Sequence, residues 1–76
     1  MTKLEMLWKG NWKPLYNSHS EADMAFCRML QKEGKTSSEI DKCMRSSGLM
    51  RDKWDEKRGN KTYGEITIER IMETIK

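Results

Sequence analysis

The chain contains no valine, and its Leu, Ile and Phe together number only 11 of 76 residues. A sheet needs β-branched and aromatic side chains on its buried face, and so poor a supply cannot furnish several strands. Lys, Glu, Met and Arg, all good helix formers, abound instead. The expected fold is therefore all-α: a small single-domain helix bundle of about four helices. So short a chain lies near the lower limit for folding without staples. Its low aliphatic content would by itself lean toward disorder. Against that, net charge is only +3, and seven Met, three Trp, two Tyr and two Cys add apolar surface. A small core is expected.

Several function classes drop out early. No run approaches the roughly 20 apolar residues of a membrane span, and the N-terminus has no signal-peptide core. A cytoplasmic protein with no membrane partner is expected. Two cysteines and one histidine are too few for a disulfide framework or a zinc site. Cys27 and Cys43 fall at helix-core positions and read as buried, reduced thiols. A Cys27–His19 catalytic pair has no orienting third group at a familiar spacing. Glu65, Glu69 and Glu73 recur every fourth residue, which stacks them on one solvated helix face; a two-metal site needs acids converging in a rigid cleft. No Gly-Lys-Ser/Thr phosphate loop occurs. Catalytic and metal residues are therefore expected to be absent, and no intrinsic cofactor is expected.

Leu4, Leu7 and Trp8 have one-face helical spacing, but Gly10 and Pro14 limit any helix there to a turn or two. Residues 1–17 read as an N-terminal arm or linker remnant that packs down its aromatics or frays. The bundle proper is expected over residues 18–76. Its first helix starts at Ser18, with Glu21 three residues on, or at Ser20, with Asp23; both are capping boxes. Ala22, Ala25, Phe26, Met29 and Leu30 form its apolar stripe, and Gly34 stops it. A second helix opens at Thr36, Ser37 or Ser38, buries Ile40, Cys43 and Met44, and ends at Gly48. A short helix from about Met50 to Lys57, a turn at Gly59-Asn60, and a last helix from about Ile66 to the C-terminus complete the bundle, without strands. Ile68, Ile71, Met72 and Ile75 form the last helix's buried face.

The charge is gathered in one place. Residues 42–61 carry seven basic and three acidic side chains, whereas residues 17–41 carry three and five. Within the glycine-bounded stretch 48–64 lie Arg51, Lys53, Lys57, Arg58 and Lys61, with the rings of Trp54 and Tyr63. Cations attract phosphates and aromatic faces stack on bases, the two ingredients of single-stranded nucleic-acid binding. Trp54 reads first as the core anchor of a bundle short of large apolar residues. Tyr63 is divided between covering the last helix and lining the binding face. Asp52, Asp55 and Glu56 use some of the positive charge in local pairs. Asp23 is placed to pair with Arg51 or Lys53 and so to lock this stretch to the first helix.

Ser47-Gly48-Leu49, Arg51, Lys53-Trp54-Asp55, then Thr62-Tyr63-Gly64 and Thr67-Ile68, together with Ser18-His19-Ser20-Glu21-Ala22-Asp23, resemble a known family. It is the small helix-bundle domain that follows the catalytic domain in primase–polymerases of phages, plasmids and mobile elements. The resemblance covers roughly residues 17–76. It implies an accessory domain, inactive alone, that captures single-stranded DNA template for primer synthesis by an adjacent primase–polymerase domain, often beside a helicase domain. Arg51, Lys53, Lys57, Arg58, Lys61 and Tyr63 would then be the DNA-binding residues. A nucleoside triphosphate such as ATP, with magnesium, would be a second ligand near Ser18, His19 and Ser20, where a helix N-terminus can hold phosphate. Capping by Ser18 or Ser20 is the competing role for those hydroxyls.

Two other functions compete. One is a protein-docking module, or a small phage-type protein binding a replication or host factor, for which methionine-rich surface is suited. The other is a duplex reader of helix-turn-helix type; its second helix should present Arg, Asn or Gln to base edges, and the second helix here is mostly acids and serines.

Overall fold

Four hydroxyl side chains set where the helices begin. The computed structural model describes residues 2–73. Thr2 opens α1 (Lys3–Trp8), Ser18 opens α2 (His19–Lys32) and Thr36 opens α3 (Ser37–Ser46). Thr62 stands immediately before α4 (Tyr63–Glu73). Thr2 and Glu5 form a reciprocal capping box, as do Thr36 and Glu39. Thr62 Oγ1 likewise accepts from the Glu65 N–H at 3.1 Å while the Thr62 N–H donates to Glu65 Oε1 at 2.9 Å. Ser18, rather than Ser20, caps α2, accepting from the Glu21 N–H at 3.2 Å. Each such cap contributes about 1 kcal/mol. The backbone hydrogen bond to its threonine holds each of Glu5, Glu39 and Glu65 below the ordinary carboxylate range. The boxes therefore stabilise the fold above that range and lose their contribution as pH falls through the lowered values.

α2 is the central element, packed by α1, α3 and α4. It brings Ala22, Phe26, Cys27 and Leu30 into a core completed by Leu7, Ile40, Met44, Leu49, Trp54, Ile68 and Ile71. Leu7 is fully buried, and Trp8 stands edge-on to Phe26 with ring centroids 5.0 Å apart. The start of the basic stretch is tied to α1 as well. The Gly48 N–H donates to the Trp8 carbonyl at 2.8 Å, and a Cβ on Gly48 would come within 2.6 Å of the Lys9 backbone. Only glycine permits that approach.

Three local expectations are corrected. Residues 50–57 do not form an α-helix. Arg51 is extended, a single 3-10 turn covers Asp52–Asp55, and Glu56 is extended again. The all-α bundle also contains one small sheet: β1 (Lys57–Arg58) pairs antiparallel with β2 (Lys61–Thr62). Gly59 at φ 79° and Asn60 make its turn. The last helix starts at Tyr63, three residues before the first isoleucine, because the Thr62–Glu65 box sits there; Ile75 lies outside the described residues. Cys27 is buried, whereas Cys43 is only partly so. Burial pushes the Cys27 thiol up to about 12, which leaves it without nucleophilic thiolate at neutral pH. Among the described residues, no helix is long and apolar enough to cross a membrane.

Candidate nucleic-acid interface

The cations of the basic stretch have different fates. Arg51 turns inward: its Nη2 donates to Asp23 Oδ2 at 2.6 Å, and the two side chains are 27% and 2% exposed. It thus forms the lock between the stretch and α2. Burial pushes the Asp23 carboxyl above its ordinary value, with Arg51 and then His19 pulling the other way. Tyr63 OH donates to the same Oδ2 at 3.3 Å. Lys61 reaches Glu69 on α4, which raises the Lys61 ammonium above its ordinary value. Arg58 meets Glu56 at 2.9 Å, both side chains about half exposed. Lys57 is exposed, with no carboxylate within 4 Å among the described residues.

Lys53 is held differently. Its Nζ stands 4.8 Å from the Tyr63 ring centroid and donates to Ser20 Oγ at 3.4 Å. The attraction of an ammonium for an aromatic face keeps it there without neutralising it. Trp54 is buried at 2% exposure, and its Nε1–H donates to Asp41 Oδ1 at 2.9 Å. Its indole is therefore core and offers no face to a base.

These placements create a cleft of about 370 Å³ between α2 and α4. Lys53, Arg58 and Arg70 supply three cations on its walls, Ser20 a hydroxyl, Tyr63 an aromatic edge, and Met24 and Ile66 apolar surface. Among the described residues, no carboxylate lines it. Arg70 was missing from the sequence-based set because it lies on α4, well past the glycine-bounded stretch. Its spacing from Tyr63, Ile66 and Thr67 does place all four on one helical face. Of the residues expected to take a nucleotide, Ser20 reaches this cleft. Ser18 is spent on its cap, and His19 Nε2 lies 3.2 Å from the Leu49 carbonyl and 3.5 Å from Asp23.

A larger cleft, about 550 Å³, lies between α3 and α4. Asp41, Glu65, Glu69 and Glu73 wall it over an apolar floor of Ile68 and Met72. Carboxylates repel phosphate, so size does not make this the polynucleotide site.

A family profile described as the NrS-1 polymerase HBD domain matches residues 19–76. The chain is also 34% identical over 71 residues to the DNA primase-polymerase of Nitratiruptor phage NrS-1, a match taking in 88% of this chain. The chain spans about a tenth of that relative's length. No solved structure gives a significant match. On both the profile and the pairwise similarity, the chain belongs to the family of NrS-1 polymerase HBD domains, related to one part of a phage primase–polymerase.

Proposed function

We propose that this domain is a non-catalytic accessory to a primase–polymerase. It holds single-stranded DNA template, with a nucleoside triphosphate and its magnesium beside it, in the α2–α4 cleft. What carries this reading is the convergence of Lys53, Arg58 and Arg70 on a cleft that no carboxylate lines among the described residues. The exposed Arg58–Glu56 pair is no obstacle, since such pairs contribute only about 0–1 kcal/mol and yield to a phosphate. Lys57, exposed on the hairpin, extends the positive field beyond the cleft, while the exposed Lys61–Glu69 pair leaves Lys61 available to a phosphate only by exchange. The chemistry would belong to a neighbouring catalytic domain; holding template and nucleotide on one scaffold raises their effective concentration there.

The test is the salt dependence of single-stranded DNA binding. Each phosphate contact contributes a slope of about −0.7 in log K against log salt. Lys53→Ala/Arg58→Ala/Arg70→Ala is expected to flatten the slope by about 2 and to weaken binding at low salt by more than about tenfold. A slope equal to that of the wild type would refute the assignment.

The acid-walled α3–α4 groove favours a second role, docking of a basic segment from a neighbouring or host protein. Variants of Glu69 and Glu73 would disturb that role and leave oligonucleotide binding intact.

A further inference from the structure

The N-terminal turn carries a second group of side chains suited to a polynucleotide, outside the α2–α4 cleft. Lys9 and Lys13 are exposed, and neither has a carboxylate within 4 Å among the described residues. Arg51, Arg58 and Lys61, by contrast, are each bound to an acid. Between the two lysines in sequence stands Trp12, half-buried against the core, its indole backed by the His19 imidazole at 5.2 Å and 33°. The turn that presents it is fixed, because the Leu15 and Tyr16 N–H groups both donate to the Trp12 carbonyl, at 2.9 and 3.0 Å.

A stacking platform needs a ring supported on one side and open on the other. His19 supplies the support and is itself anchored against Leu49 and Asp23. Trp8, half-buried like Trp12, stands edge-on to Phe26 of the core, and Trp54 is buried. The arm also connects with the cleft through an unbroken series of contacts, Trp12 to His19, His19 to Asp23, Asp23 to Tyr63, and Tyr63 to Lys53.

We propose that Trp12, backed by His19 and flanked by Lys9 and Lys13, is a second stacking subsite that extends the path of single-stranded DNA beyond the α2–α4 cleft. The subsite rests on the reading of that cleft as the primary DNA site. A strand reaching both is therefore bound more tightly than one filling the cleft alone.

The experiment compares oligothymidylates of about 4 and about 12 nucleotides, titrated against wild type, Trp12→Ala, Trp12→Phe, Lys9→Ala/Lys13→Ala and the triple cleft variant. Trp12→Ala is expected to lose about tenfold on the long oligomer and to keep the short one within about twofold. Trp12→Phe should retain most of the long-oligomer affinity, and the lysine pair should flatten the salt slope for the long oligomer alone. Wild-type affinity for the long oligomer in both arm variants would overturn the subsite and leave the cleft standing, whereas loss of the short oligomer from the folded arm variants would overturn the division into cleft and subsite. Unchanged binding in the triple cleft variant would instead remove the primary site. If Trp12→Ala does not fold, the exposed lysine pair decides the question.

Discussion

Arg51→Ala is expected to destabilise the domain by roughly 3–5 kcal/mol, the usual cost of stranding one partner of a buried ion pair. The stranded group is Asp23, whose side chain is 2% exposed. Its Oδ1 already has no hydrogen-bond partner, as is true of Arg51 Nε. Without Arg51, only His19 at 3.5 Å and the Tyr63 hydroxyl at 3.3 Å would face the carboxylate. Asp23→Asn is expected to cost less, because Arg51 is 27% exposed and its guanidinium can turn toward water. The two variants also differ in pH dependence. Removing Arg51 takes away the strongest influence opposing burial, so the Asp23 carboxyl rises further above its ordinary value. A raised carboxyl binds its proton in the folded state first, so stability is recovered as pH falls through the raised value and lost as pH rises. The deficit of Arg51→Ala relative to wild type should therefore shrink in mild acid, and that of Asp23→Asn should not. Urea unfolding at neutral and mildly acidic pH measures both. Equal, pH-independent losses would mean that the pair is an ordinary surface contact.

This result bears on function directly. Domains of this kind have only about 5–15 kcal/mol of total stability. A loss of DNA binding in Arg51→Ala would then reflect unfolding, although Arg51 stands in the basic stretch and reads from sequence as a phosphate ligand. Lys53, Arg58 and Arg70 are cleaner probes because none is part of the core.

Trp54→Ala should be about as damaging, roughly 3–5 kcal/mol. The indole lies against Gly64, where a Cβ would overlap it, and stands edge-on to Tyr63 at 6.1 Å. Its Nε1–H bonds Asp41 on α3, and Asp41 accepts from Arg45, whose fork also grips Asp55 at 2.6 and 2.9 Å. One ring thus joins α3, the 3-10 turn and the start of α4. Trp54→Phe keeps most of the buried area but drops the hydrogen bond, and should cost about 1–2 kcal/mol beyond any packing change. Asp41 is only half-buried, so water can replace the lost donor. Thermal unfolding followed by circular dichroism distinguishes the variants. A Trp54→Ala melting temperature near that of wild type would contradict the anchoring role.

The helices were legible where a hydroxyl cap met an apolar stripe. The stripes Ala22–Leu30 and Ile40–Met44 marked the buried faces, while the starts stayed open between Ser18 and Ser20 and among Thr36, Ser37 and Ser38 until packing chose Ser18 and Thr36. The lock was legible in part: Asp23 on α2 lay within reach of a stretch rich in cations, with Arg51 and Lys53 both open as its partner. The segment 50–57 was misread because its spacing fits a helix, while the inward pull of Asp23 holds Arg51 extended and Trp54 must reach Asp41. The Gly59-Asn60 pair between Lys57-Arg58 and Lys61-Thr62 did carry a hairpin signal. Thr62-x-x-Glu65 likewise marked the true start of α4 one turn ahead of its isoleucines. Charge density could not separate the paired cations Arg51, Arg58 and Lys61 from Lys53 and Arg70, which meet no carboxylate among the described residues, because pairing depends on side-chain packing in three dimensions.

The most direct measurement is an amide chemical-shift titration of the folded chain with a short single-stranded DNA. Template capture in the α2–α4 cleft predicts progressive shifts at Ser20, Lys53, Arg58, Tyr63 and Arg70, fading as salt is raised. Shifts confined to Ser37, Ser38, Asp41 and Glu69 around the acid-walled groove, or none at all, would contradict it.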